Sequence, residues 1–499
     1  MLRSLLTHTK QPALPPLTTT QLSATHIRQS PLRPLMLIMA IGVGMGVSMV
    51  TLAQPTIVST NSTAKTAPSS QSKQASNRHQ YTLDNGLKVI IKEDHRSPVV
   101  ISQVWYNVGA TDEPTESGGI SHLLEHMMFK GTKNVSSADF ERLIAKFGGS
   151  NNAFTSHDYT AYYEIFPANR LGLALELEAD RMRNLQLNQS DFLSEQQVVM
   201  EERRQRTDDN PTARAYEQFS KMLYPTSPKG ESVIGPMTEI ASIKLEQLKD
   251  WYNTWYAPNN ATVVIVGDVK PEEALAQVKH YFGKLSPQPL PTRPSVTEQG
   301  FRGYQEQTTE LPVQVPSVLM AYNLPTLTTA KDPKTAYGLL LLSDVLDGGL
   351  SARLEKHLVR DKQILASIGS GYSAFDRGDG ALMIHATPRQ GVTLEQAKQA
   401  ILAEIEALKT QPILPNELQR AKTSTMTGLV YSQDSISGQA QMIGRLNSIG
   451  LDDRLIYDLP TVLESIHAND LQQLAKHYFT KDNLTVLNVV NGKKTTANN

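Results

Sequence analysis

The chain has 499 residues, more than one compact core accommodates, so two or more domains are expected. Its 48 Lys and Arg against 49 Asp and Glu leave a formal net charge of -1, which offers no electrostatic reason for a nucleic acid partner. There is no cysteine, which excludes disulfides, thiolate metal sites and a cysteine nucleophile and leaves the redox compartment open.

Met1 to His79 carry no Asp or Glu, while Arg3, Lys10, Arg28 and Arg33 are basic. The run Leu35 to Ala53, "LMLIMAIGVGMGVSMVTLA", is uncharged and just long enough to cross a bilayer. Thr51 and Ala53 suit signal-peptidase cleavage after Ala53, so residues 1–53 read as a signal peptide or, alternatively, as an uncleaved membrane anchor through 35–53. Glycines 42, 44 and 46 have no strand–turn–helix context and are no nucleotide-binding loop. The Ser/Thr/Gln-rich stretch 54–80 reads as a disordered tether. The body that follows is expected to be exported to the periplasm, with possible tethering to the inner membrane.

From Tyr81 the pattern is regular. "YTLDNGLKVIIKED" reads as a hairpin turning at Asp84-Asn85-Gly86, and "VVISQVWYNVGA" as a strand. "ISHLLEHMMF" and "SADFERLIAKFGG" read as helices, "TAYYEIF" as a strand, and "NRLGLALELEADRMRN" as an amphipathic helix. The strand "NATVVIVGDV" and the helix "PEEALAQVKHYFGKL" close this half. The Pro-rich stretch Leu285 to Val296, "LSPQPLPTRPSV", reads as a linker.

Beyond the linker the pattern repeats. "IASIKLEQLKDWYNTWYAPNNATVVIV" aligns without gaps with "LESIHANDLQQLAKHYFTKDNLTVLNV", pairing Tyr256 with Phe479 and Asn260 with Asn483 at a constant offset of 223. A duplicated α+β fold follows: domains 81–284 and 301–495, each a mixed sheet packed with helices, joined by the linker 285–300.

The chemistry concentrates in "GGISHLLEHMMFKGT". His122 and His126, four residues apart, lie about 40° from each other on a helix and can hold one zinc ion. Glu125 reaches the same space, where a carboxylate can accept a proton from a water acidified by the metal. Two histidines leave the protein's ligand set incomplete, since catalytic zinc usually takes three.

Together with "GGSNNAFTSHDYTAYYE" and "SEQQVVMEERRQR", this H-x-x-E-H stretch resembles the insulinase-like zinc peptidases, the inverzincins related to pitrilysin and mitochondrial processing peptidase. The resemblance runs from about Tyr81 to the C-terminus and implies two homologous domains that close like a clamshell around a cavity. It implies Glu202 as third zinc ligand, Glu195 as the residue steadying the ligands, Glu125 as general base, one Zn2+ per chain, and a peptide substrate against Asn152 and Ala153. Glu195 is two turns before Glu202 on the same helical face, whereas the competing Glu201 points about 100° away. His157 reads as a polar residue near a strand start.

In the second half the family's substrate-gripping arginine matches Arg360, but Ser367 occupies the position of its tyrosine. Tyr372, five residues on, faces the opposite side of a strand. The resemblance therefore implies a zinc endopeptidase working as a heterodimer with a related chain that lacks the zinc motif. The alternatives are a non-catalytic assembly subunit of the same family and a dedicated leader-processing peptidase.

Overall fold

The computed structural model describes residues 77–298 and 303–492. The expected signal or anchor, 1–53, lies outside the described residues, as does the tether up to residue 76. Among the described residues no helix is long and apolar enough to cross a membrane.

Two mixed sheets, each flanked by helices, make a two-domain α+β fold. The first half contains β1 (Arg78–Thr82), β2 (Lys88–Glu93), β3 (Val99–Tyr106), α1 (Ile120–Met127), α2 (Ser137–Lys146), β4 (Ser150–Thr155) and β5 (Thr160–Pro167). It continues with α3 (Leu171–Asn184), α4 (Gln189–Arg203), a π-helical turn (Arg204–Asp208), α5 (Pro211–Leu223), α6 (Met237–Ser242), α7 (Leu245–Trp255), β6 (Ala261–Gly267) and α8 (Pro271–Phe282). The sheet order is β1-β2-β6-β3-β5-β4, with β2 and β6 parallel and the other pairs antiparallel, so β4 forms a free edge. Strand β1 starts earlier than Tyr81 because the Arg78 guanidinium meets the buried Asp453 carboxylate at 2.5 Å.

The second half holds β7 (Gln305–Leu311), β8 (Ser317–Leu324), α9 (Pro333–Asp347), a π-helical turn (Glu355–Asp361), β9 (Leu365–Gly371) and β10 (Gly380–Pro388). Helices α10 (Leu394–Thr410), α11 (Pro415–Ser432), α12 (Ile436–Ser448), α13 (Leu455–Glu464) and α14 (Ala468–Tyr478) precede the last strand, β11 (Leu484–Asn491). Its sheet runs β7-β11-β8-β10-β9. The offset of 223 carries α7 onto α14 and the start of β6 onto that of β11, and it carries most of α5 onto α12.

The repeated helices exchange partners. In the first sheet β3 and β6 are buried on both faces, which is why they read as almost continuous apolar runs. Val100, Val104, Val263 and Ile265 face that half's own core with Leu123, Leu124 and Leu175. Ile101, Trp105, Val264 and Val266 face the other way, where Ala440 and Ile443 of α12 cover them. Reciprocally, Ala215, Phe219 and Leu223 of α5 cover Leu319, Ala321, Leu487 and Val489 of the second sheet. Each half thus supplies the helix that keeps water off the other's sheet.

The Pro-rich connection is also less free than its composition suggests. Asn259 exchanges hydrogen bonds with the Gln288 backbone, and Arg293 forms a two-pronged ion pair with Asp112 at 2.6 and 2.8 Å. Specific polar partners hold a segment that composition alone would leave loose.

Helix α12 approaches so closely that a Cβ on Gly444 would sit 2.0 Å from the Trp105 ring. Gly444→Ala gains about 1 kcal/mol of helix propensity. The clash with a buried ring costs about 1–3 kcal/mol. A lower thermal midpoint and a smaller unfolding free energy are expected in denaturant titration; an unchanged or raised midpoint would mean the ring moves aside freely.

Candidate active site

Helix α1 buries Ile120, Leu123, Leu124 and Met127 and so turns His122, Glu125 and His126 to its other side. At eight residues it is short, and its N-terminal amides need outside partners. Glu113 accepts from the backbone of Gly119 at 2.7 Å and of Ser121 at 2.8 Å, and Glu239 accepts from Gly118 at 2.7 Å. Burial nevertheless pushes the Glu113 carboxyl up to about 8. Gly119 itself has φ +92°, and a Cβ there would meet the Ile234 carbonyl at 2.3 Å, so only glycine fits this start.

Helix α4 brings its carboxylates against α1. One oxygen of Glu202, Oε2, stands 3.5 Å from His126 Nε2 and 3.9 Å from His122 Nε2. These residues are the one group among the described residues whose ligand atoms lie close enough, within 4.8 Å of one another, to hold a metal ion. Ligands at about 2.0–2.1 Å from a tetrahedral zinc stand about 3.3 Å apart; the His126–Glu202 contact is already near that spacing, and the wider separations would have to draw in to hold the ion.

The surroundings differ for each of the three. His126 Nδ1 meets Glu195 Oε2 at 3.1 Å, and the other oxygen of Glu195 accepts from Lys130 Nζ at 2.5 Å. Arg206, from the π-helical turn, pairs with the second oxygen of Glu202. His122 Nδ1 is buried with no hydrogen-bond partner among the described residues. Burial and the neighbouring His126 lower the His122 imidazole to about 4, which leaves it neutral and fit to ligate. Burial also opposes charge on His126, but its bonds to Glu195 and Glu202 outweigh that and raise it to about 9.

Glu202 loses some stability as an anion through burial, yet the His126 bond and the Arg206 charge bring it below the usual carboxylate range. Glu195 is lowered chiefly by its bond to His126. Glu125 is raised by burial, partly offset by Thr155, whose Oγ1 donates to Glu125 Oε2 at 2.5 Å. A carboxylate raised in this way is a better proton acceptor near neutral pH.

Glu201 points elsewhere: it is half exposed and bonded to Arg204 and Gln205. Asn152 and Ala153 lie on β4, whose outer edge is open. The Ala153 methyl belongs to the first half's core, and its backbone amide donates to Asn152 Oδ1 at 2.8 Å. His157 meets the Glu231 carbonyl at 3.0 Å and takes no part in the cluster. In the second half Arg360 donates to the Leu350 carbonyl at 3.0 Å, and Ser367 is exposed on the edge strand β9. Tyr372 is buried, its hydroxyl donating to the Pro325 carbonyl at 2.5 Å. Thr155, Lys130 and Arg206 lie inside the quoted motifs without a pattern that marks them, and Glu113 lies outside all of them.

A two-domain α+β fold with two histidines and a glutamate converging on one point defines the class, and comparison with known proteins gives the family. Residues 88–237 match the model of the insulinase family, peptidase family M16, and residues 242–425 match that of the peptidase M16 inactive domain. The chain belongs to the insulinase (M16) peptidase family. It is 31% identical over 403 residues to the zinc protease PqqE of Helicobacter pylori, covering 80% of this chain and 89% of that one. A probable mitochondrial-processing peptidase subunit beta of Arabidopsis thaliana is 25% identical over 372 residues, 73% of this chain and 69% of that one.

Among solved structures, a protease from Helicobacter pylori aligns with TM-score 0.77 at 29% identity, covering 83% of this chain and 99% of that one. The periplasmic protease PqqL of Escherichia coli shares the fold with TM-score 0.72 at 19% identity; the alignment covers 84% of this chain and 48% of that longer one.

Were His126 to take a zinc ion through Nε2, it would surrender a proton that it holds up to about 9, so zinc uptake at pH 7 would release about one proton. Apparent zinc affinity should therefore rise with pH and level off near 9. Calorimetry in buffers of different ionisation enthalpy measures this. Uptake without proton release would show that His126 is already neutral.

Proposed function

We propose that this chain is a zinc endopeptidase that cleaves peptides or flexible protein segments. The observation that carries the reading is the convergence of His122, His126 and Glu202 beside the buried carboxylate of Glu125. The three side chains bind one zinc ion, and Glu195 orients His126 through Nδ1. Zinc held there supplies a Lewis acid that acidifies water and polarises a carbonyl. Glu125 accepts the proton of the attacking water on a carboxylate oxygen and can pass it to the departing amine nitrogen. The free edge of β4 holds the peptide as an added strand, so recognition rests largely on main-chain hydrogen bonds and varied sequences are accepted.

Glu125→Gln keeps the shape of the side chain but cannot accept the proton. It should retain zinc and lose about 10²–10⁴-fold in turnover. Glu202→Gln should instead lower zinc content, because an anionic ligand is removed. Metal analysis with peptide cleavage by the purified variants distinguishes the two. A Glu125→Gln chain that keeps most of its turnover would reject the general-base role. A parent chain that binds zinc yet cleaves no peptide, alone or with relatives, would favour the non-catalytic subunit.

A partner chain is favoured by one observation in the second half. The hydroxyl of Tyr372 is taken by the Pro325 carbonyl inside the core, so it cannot replace the phenol that Ser367 lacks. A related chain carrying an intact arginine–tyrosine pair, and no zinc ligands, would complete the substrate grip. Adding such a relative should raise peptide cleavage by the purified chain, whereas full activity alone, unchanged by the addition, would reject the heterodimer.

A further inference from the structure

We propose that Thr155 is a positioning residue for Glu125, and that the turn carrying it is held in place by Arg377 from the second half. The inference rests on the peptidase reading above and assigns a task to the half that carries no zinc ligands.

Thr155 is the last residue of β4, directly across from Thr160 of β5. Its hydroxyl donates to Glu125 Oε2 at 2.5 Å. A glutamate side chain has several rotatable bonds, and a proton acceptor works only within hydrogen-bond reach of the proton it takes. Fixing one oxygen to a strand aims the other. A threonine suits this because its branched Cβ restricts χ1, so the hydroxyl direction is set by the strand.

The strand end is itself held. The backbone amide of Ser156 donates to the Tyr159 carbonyl at 2.8 Å, closing the turn between β4 and β5. Ala110 and Thr111 donate their amides to the carbonyls of Ser156 and His157 at 3.1 and 2.8 Å, which ties the turn to the segment leading into α1. The Thr111 hydroxyl adds bonds to the His157 carbonyl at 2.7 Å and to Asp158 Oδ1 at 3.1 Å.

Asp112 and Asp158 in this unit are both buried and need cations. Arg293 of the connecting segment pairs with Asp112 and donates to the Asp158 carbonyl at 2.7 Å. Arg377, from the loop between β9 and β10, reaches Asp112 Oδ1 at 3.2 Å, Asp158 Oδ1 at 3.3 Å and Thr111 Oγ1 at 3.3 Å. A guanidinium of the second half thus neutralises two acids of the first, and the chain of contacts ends on Glu125.

The test uses the full zinc-loaded chain, with its partner if one is required, as parent, Thr155→Val, Thr155→Ser and Arg377→Gln. Valine keeps the shape of threonine without the donor; serine keeps the donor. Thr155→Val should keep its zinc and its KM while kcat falls by about 10²-fold, the scale of a misplaced reacting group. Thr155→Ser should regain most of that loss, and Arg377→Gln should show a smaller fall in kcat. Crystal structures of the zinc-loaded parent and Thr155→Val supply a readout independent of turnover: the Glu125 carboxylate should leave its parent position.

Glu125 unmoved in the valine variant, or a valine kcat equal to the parent's, would overturn the proposal. A parent without peptidase activity would sink the peptidase reading instead, while the carboxylate position would still decide the role of Thr155.

Discussion

One carboxylate oxygen, Glu202 Oε2, faces two imidazoles on a neighbouring helix, and much of the local structure exists to keep those groups there. Polar side chains withdrawn from water are costly unless each finds a partner. Lys130 and Glu195 behind His126, Arg206 behind Glu202, and Thr155 beside Glu125 are those partners. They come from the residues after α1, from α4, from the π-helical turn and from the end of β4. A centre drawn from so many elements depends on the packing of α1 against α4, which Leu123, Leu124, Phe192 and Val199 secure within one core.

The duplication explains how that packing is made robust. The unit that places α7 beside β6 recurs as α14 beside β11, yet the second copy has no H-x-x-E-H motif. Thr425 stands where the repeat would put Glu202, and its hydroxyl donates to Asp344 Oδ2 at 2.7 Å. The scaffold has kept a polar contact between the two helices there, and the grouping of His122, His126 and Glu202 has no counterpart among the described residues of the second copy. Beside the first copy, a cleft of about 820 Å3 lies between Arg203, Asp208 and α5 on one side and the polar strand β7 on the other.

Helical and strand periodicity made much of this legible in the sequence. Four-residue spacing set His122 and His126 on one face, seven-residue spacing did the same for Glu195 and Glu202, and the Asn85-Gly86 turn marked the first hairpin. The constant offset of 223 shows the repeat in the sequence itself. What could not be read is whatever depends on which side of a sheet the chain passes. The buried runs of β3 and β6 announce that both faces are covered, but nothing in them says that α12 does the covering. Likewise Thr155 stands in a polar stretch, and only the approach of α1 to β4 gives it Glu125 as a partner. The ties of Arg293 and Arg377 to Asp112 join residues 181 and 265 positions apart and leave no local pattern.

The exchange of α5 and α12 changes what a break in the backbone would mean. Cutting between Phe282 and Gln305 would leave an N-terminal fragment that carries the cover for the second sheet, and a C-terminal fragment that carries the cover for the first. Each piece alone would present one sheet face to water, with Trp105 among the residues bared on one fragment and Leu487 on the other. Neither is a free-standing module in the sense that two beads on a string are. The halves are clasped, and two separately made polypeptides of this kind would have a strong physical reason to find one another.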